Sequence, residues 1–328
     1  MLVLRSLLLV VVVGLAAQGS ASAHSGTNDP ATAAQAFLDS LTEADRMRAS
    51  LAFDDPQRTA FRWTPGRRAG VVLQILSPES RAELQHLLTL VLSARGALTV
   101  DAILATEAAL GLLEGRPDYR NPELYYTAVF GRPGGERWGL RFEGHHLSIN
   151  LTFTGSTAIS GTPLVLGANP ESVIQGPHAG TRALAEQVDL AWDLYAGLTP
   201  EQQTQARDAG AGFDGFLTRP GSLRRPEAQQ AGIAWADLTA AQREALTALA
   251  VSYIGILGAD LSESYVAALL AEEAAGLHFH WSGGAAPGGT YYYRIAGPRL
   301  FIEHNAMNGG THIHAIWRDG ARDWGGSE

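Results

Sequence analysis

The chain has 328 residues, with 33 acidic against 24 basic side chains and a net charge of −9; every basic residue is an arginine. Having neither lysine nor cysteine, it lacks Schiff-base and phosphate-loop lysines, thiol nucleophiles, Cys-ligated zinc, iron–sulfur clusters and disulfides. The acidic balance argues against a nucleic-acid partner.

Arg5 precedes the apolar run Leu7 to Ala17, and Ala21-Ser22-Ala23 supplies small residues at signal-peptidase spacing, so residues 1–23 read as a secretory signal. The expected location is therefore secreted or periplasmic. The run is shorter than the roughly 20 apolar residues that cross a bilayer, and no stable membrane span is expected after cleavage. A chain of this length buries about three-quarters of its unfolded surface, so an oxidising compartment does not oblige it to carry disulfides.

Residues 24–30, HSGTNDP, read as a tether. Apolar residues then recur at helical spacing over Ala33 to Leu41, Glu43 to Leu51, Pro78 to Ser93 and Val100 to Leu113, with Thr42, Ser77 and Thr99 as caps. Trp138 to Phe142 and His146 to Phe153 alternate as strands around a turn at Glu143-Gly144-His145, and Thr157 to Leu166 extends them before Asn169-Pro170. Helical text returns over Arg182 to Leu194, Glu201 to Arg207, Ala240 to Leu257 and Ser262 to Ala275. Strands follow at Leu277 to Trp281, Tyr291 to Ala296, Arg299 to Asn305 and His312 to Trp317.

This order predicts an α+β protein of two related halves, residues 31–170 and 171–328, each a helical segment followed by an antiparallel β-meander, packed as one globular unit. Leu41-Thr42 overlays Leu198-Thr199, and Leu76-Ser77 overlays Leu238-Thr239. The hairpins share R-x-x-G-x-x-L-x-I, from Arg141 to Ile149 and from Arg294 to Ile302. In that overlay Gly144 and Gly297 supply the positive φ of a tight turn.

Without cysteine, imidazoles are the available borderline metal ligands. His312 and His314, two apart on a strand, leave the same face and can chelate one ion. If Asn305 pairs with Thr311, His304 joins them; a register shifted by one brings Glu303 instead. Either set suits zinc, copper or iron with an open position for water. The plain alternative is that both histidines are structural. His145 and His146 are adjacent, so on a strand at most one belongs to any one site. His278 and His280 form a second pair beside a glycine-rich loop, and His24 would become the mature N-terminus, where amine and ring together can hold copper. Gly210 to Gly215 spells G-x-G-x-x-G without the strand-turn-helix setting of a dinucleotide site.

The text WGLRFEGHHLSIN from Trp138 to Asn150, LGANP from Leu166, YYRIAGP from Tyr292 and HIHAIWRD from His312 to Asp319 resembles the bacterial DUF3500 family, a domain of unknown function. The likeness runs from about residue 31 to the C-terminus and supplies no activity. It implies a shared frame of Glu143, His145, His146, Asn150, Glu303, His312, His314, Trp317, Arg318 and Asp319. His304 and His280 depart from that frame, which favours Glu303 beside His312 and His314, and His24 lies outside it.

The leading expectation is a divalent-metal-dependent enzyme, hydrolytic in kind, with His312, His314 and Glu303 on zinc or copper and His146 or Glu143 as acid/base. Arg294, Arg299 or Arg318 would hold an anionic group of a small-molecule substrate. The rivals are a non-catalytic metal- or small-ligand-binding envelope protein, and a structural envelope protein whose histidines only satisfy the sheet.

Overall fold

Residues 28–207, 217–219, 221 and 231–326 are described in a computed structural model of the protein. The signal segment, His24 and the glycines of the G-x-G-x-x-G text lie outside them. The first half contains α1 (Pro30–Ser40), α2 (Glu43–Ala49), β1 (Ser50–Leu51), β2 (Val71–Val72), α3 (Pro78–Val91), α4 (Ala94–Glu114), β3 (Tyr126–Gly131), β4 (Trp138–Gly144), β5 (Leu147–Thr154), β6 (Thr157–Ser160) and β7 (Leu164–Ala168). The second contains α5 (Ala185–Ala196), α6 (Pro200–Ala206), β8 (Ile233–Ala234), α7 (Ala240–Ile254), α8 (Ala259–Ala268), β9 (His278–Gly283), β10 (Tyr291–Ala296), β11 (Leu300–Met307) and β12 (His312–Asp319).

Helix starts follow from their caps. Thr42 and Ser77 accept the N–H of the residue three further on, and Thr199 and Thr239 close reciprocal capping boxes with Gln202 and Gln242. The overlaid Leu-Thr and Leu-Ser pairs are thus helix starts in both halves. Thr99 is not a cap: α4 begins earlier, at Ser93, and the Thr99 hydroxyl donates to the Arg95 carbonyl within the helix. By length and composition α4 could cross a membrane, yet half of its most apolar stretch is buried inside the protein.

The strands form one mixed sheet in the order β1-β3-β4-β5-β7-β12-β11-β10-β9-β8, with β2 on β3 and β6 on β5. Among the described strands only the β1–β3 pair is parallel. The expected strand from Thr157 to Leu166 is broken in two at Gly161 to Pro163, because proline has no N–H for the ladder. β3 was not visible in the sequence pattern, since its residues Thr127 to Phe130 are buried on both faces and do not alternate.

Alternation gives the sheet two unlike faces. Phe142, Ile149, Tyr293, Ile302, Ala315 and Trp317 turn toward the helices and share the main core with Leu84, Leu87, Ile103 and Leu246. The opposite face carries Arg141, Glu143, Ser148, Asn150, Arg294, Glu303, Asn305 and the His312–His314 pair, with a small apolar patch of Val165 and Ile316 under Phe61, Trp63 and Trp324. The segment between β1 and β2 lies over this polar face. It offers the Gln57 carbonyl to Arg141 (2.5 Å) and sends Arg68 to Glu143 (2.8 Å).

The hairpin turn of β4 and β5 corrects the expected geometry. Gly144 pairs with Leu147, so the turn is His145-His146, and the positive φ of 63° belongs to His146. Gly144 is needed for space: a Cβ there would lie 2.3 Å from the Tyr125 ring. Gly297 likewise gives clearance, beside Leu277 and Glu273.

Candidate functional site

Where β5, β7 and β12 meet, three imidazoles converge. β12 pairs with β7 so that His314 lies opposite Gly167, and His312 and His314 leave the polar face together, their ring centroids 4.6 Å apart. His146 comes from the far side of β7, two strand spacings or roughly 9–10 Å away. Its ring crosses over Gly167, and its Nε2 lies 3.0 Å from Nε2 of His312. A side chain at position 167 would block that path, since its Cβ would stand 3.0–3.1 Å from the His146 side chain. His146 N–H donates to the Trp63 carbonyl at 2.9 Å, which holds the turn in the left-handed conformation that a non-glycine residue adopts only when its surroundings compel it.

One ligand nitrogen from each of His146, His312 and His314 lies within 4.8 Å of the others. Burial holds all three rings below the ordinary histidine range, His312 at about 4 and His314 at about 3. They are therefore neutral at physiological pH, the form that binds metal. His146 is buried, while His312 and His314 are half-buried and keep the cluster in touch with solvent.

A second group adjoins the first. His145 stacks on His146 with centroids 3.6 Å apart, and its Nδ1 lies 2.5 Å from the Glu107 carboxylate. Arg120 stands 3.3 Å from the His145 ring nitrogens and is itself paired with Glu114. The expectation that only one of two adjacent histidines can belong to a site assumed extended backbone; the left-handed turn at His146 removes the alternation and both rings gather on one side. Glu107 escaped sequence reasoning, though a signal existed. It shares the apolar stripe Val100, Ile103 and Leu110 of α4 and is 3% exposed, and a carboxylate on a buried helix face needs a partner.

Of the other expected site residues, Glu303 is on the polar face but pairs with Ile316, while Asn305 stands opposite His314. The Glu303 carboxylate accepts from the Tyr292 hydroxyl and from the backbone N–H groups of Leu217 and Thr218, so it is not among the residues gathered at the histidines. His304 points the other way, into the core. It is fully buried, bonded to the Tyr253 and Tyr291 hydroxyls at 2.9 and 3.2 Å, and burial lowers it to about 3.

Glu143 is tied to Arg68, Arg141 and the Ser148 hydroxyl. Burial pushes its carboxyl up against the pull of those two arginines. Arg299 pairs with Asp319 and Glu272, and Arg318 with Asp323. Arg294 lies between His280 and Glu303 in the strand register, its Nε and Nη2 buried without a hydrogen bond among the described residues. His278 and His280 find local partners in the Gly276 carbonyl and the Ser282 hydroxyl.

A family model described as a protein of unknown function (DUF3500) matches residues 24–326, starting at His24 rather than near residue 31. No curated protein and no solved structure matches the chain.

Proposed function

The chain belongs to the DUF3500 family, and for it we propose a divalent-metal centre on His146, His312 and His314 that serves hydrolysis of a small molecule. The observation that carries the reading is the convergence of three neutral imidazoles drawn from two distant hairpins onto one point. Zinc–nitrogen bonds of about 2.0–2.1 Å place neighbouring donors about 3.3 Å apart, close to the His146–His312 separation of 3.0 Å. Three protein nitrogens with one open position is a donor set of catalytic zinc, and copper accepts imidazole equally. An ion there would supply an acidified water near neutral pH.

The chain's own part is proton handling. Glu107 at Nδ1 fixes the orientation of His145, as a carboxylate does for an acid/base histidine. His145 takes the proton of the attacking water and returns it to the leaving atom as the scissile bond opens. In this reading Glu107 takes the place expected of Glu303 as the carboxylate of the site, and His145 the place expected of His146 or Glu143 as its acid/base.

We also propose that the two halves arose by duplication. Four matched features support this. Helix pairs precede a meander in each half; the sheet order reads alike from either end, β3-β4-β5-β7 against β9-β10-β11-β12; Arg141–Asn150 and Arg294–Glu303 are equivalent cross-strand pairs; and the α3–α4 and α7–α8 connections exchange reciprocal bonds, Ser93 N–H to Ile256 O and Gly258 N–H to Val91 O. A secreted or periplasmic location remains part of the reading on the strength of the N-terminal text, and N-terminal sequencing of the exported protein checks cleavage after Ala23.

Elemental analysis of tag-free protein, wild type beside His312→Ala/His314→Ala, tests the centre. The expected result is near-stoichiometric zinc or copper in wild type and none in the variant. A wild type that carries no metal and gains no thermal stability from added zinc or copper overturns it.

A further inference from the structure

Next to the Glu107–His145 pair is a cavity of about 220 Å³. It is lined by those two side chains together with Tyr119, Leu124, Tyr125 and Tyr126. The volume equals about seven molecules of liquid water at ~30 Å³ each, enough for a single substituted ring and smaller than the common range for drug-sized ligands.

The polar atoms around it are largely spoken for. Arg68, which also borders the space, is paired with Glu143 and donates to the carbonyls of Thr64, Gly66 and Gly144. The Tyr125 hydroxyl donates to the His145 carbonyl at 2.6 Å, and Glu107 is engaged with His145. The Asn121 side-chain oxygen accepts from Glu123 N–H. With the Arg68 guanidinium held by Glu143 outside the cavity and the Glu107 carboxylate held by His145, the walls are chiefly aromatic and aliphatic surface with one imidazole. Such walls favour a flat apolar body over a free anion, because a ring gains face and edge contacts with tyrosines whereas an anion drawn inside would lose hydration beside an Arg68 already engaged by Glu143. Tyr119 is half exposed at the mouth, and the exposed Arg67 stands at the rim.

We infer that this cavity is the substrate pocket, and that it takes a small uncharged compound built on one flat ring, with its polar group against His145. The inference rests on the hydrolytic reading for the word substrate but not for binding, and the test is arranged accordingly. Benzamide, benzoate and acetamide are titrated by isothermal calorimetry and saturation-transfer NMR into chelator-treated full-length protein and into protein given one equivalent of zinc.

Benzamide is expected to bind in both states, benzoate about tenfold more weakly, and acetamide too weakly to measure. Leu124→Trp, which fills the space, is expected to remove benzamide binding while zinc content stays at the wild-type value. Tyr119→Ala at the mouth, where folding is not at stake, is expected to weaken it several-fold. Benzamide bound equally by wild type and by both variants, or benzoate bound more tightly than benzamide, overturns the pocket. Loss of zinc binding with benzamide binding intact overturns the metal centre alone.

Discussion

His304 and His314 sit one strand apart on the same sheet and lie on opposite faces of it. His304 faces the helices, stacked on Tyr291 and Tyr293 and bonded at both ring nitrogens to tyrosine hydroxyls. His314 faces the polar side, where its neighbours are two further imidazoles and Trp63. Both are lowered to about 3 by burial. Depth alone therefore does not mark a working histidine; what separates the two is whether the partners complete the ring's hydrogen bonds or add more donors aimed at the same point.

The largest break in this comparison should come from His304→Ala. It removes the partner of two buried hydroxyls and opens a core cavity, at a cost of about 3–5 kcal/mol in urea unfolding, with metal content unchanged in the protein that remains folded. Gly167→Ala attacks the other face. Its Cβ would lie 2.7 Å from the Ile313 carbonyl and beside the His146 ring, and metal affinity measured by chelator competition should drop about 10–100-fold, the range found when a ligand's support is disturbed. An unchanged affinity would remove the role assigned to Gly167.

The core histidine also acts through pH. A folded-state value of about 3 for His304 against the ordinary 6.5 means the unfolded chain binds the proton first, so stability is full above about pH 6.5 and falls as pH drops toward 3. The slope from this residue is about 1.4 kcal/mol per pH unit, and His304→Asn should flatten the fall between pH 6 and 4. The least change is expected from Glu303→Gln, whose metal content should equal wild type because the carboxylate serves Tyr292 and the 217–218 backbone.

Much of the fold was legible because it rests on local signals. The caps at Thr42 and Ser77 and the alternation of β10 and β12 are written within a few residues of where they act, whereas Thr99 lies inside α4, which starts from Ser93. The metal candidate was half legible for the same reason: the spacing of His312 and His314 puts them on one face whatever the register. The register itself, which sets Asn305 rather than Glu303 or His304 across from His314, depends on the four-residue turn from Asn308 to Thr311, which the pattern does not fix. Glu107 and His146 were harder still, since their meeting with the cluster depends on how α4 packs and on how one turn residue bends, both long-range outcomes.

The seam between β7 and β12 has a consequence for how the protein holds together. His146 belongs to one meander and His312 and His314 to the other, so an ion shared by the three would bind only when the two are zipped side by side. By linkage, whatever affinity it has is added to the work of separating them. A truncated half could keep its own hairpins and still be blind to metal, and in the whole chain the ion's dissociation rate would report, from a single spot, how often the middle of the sheet comes apart.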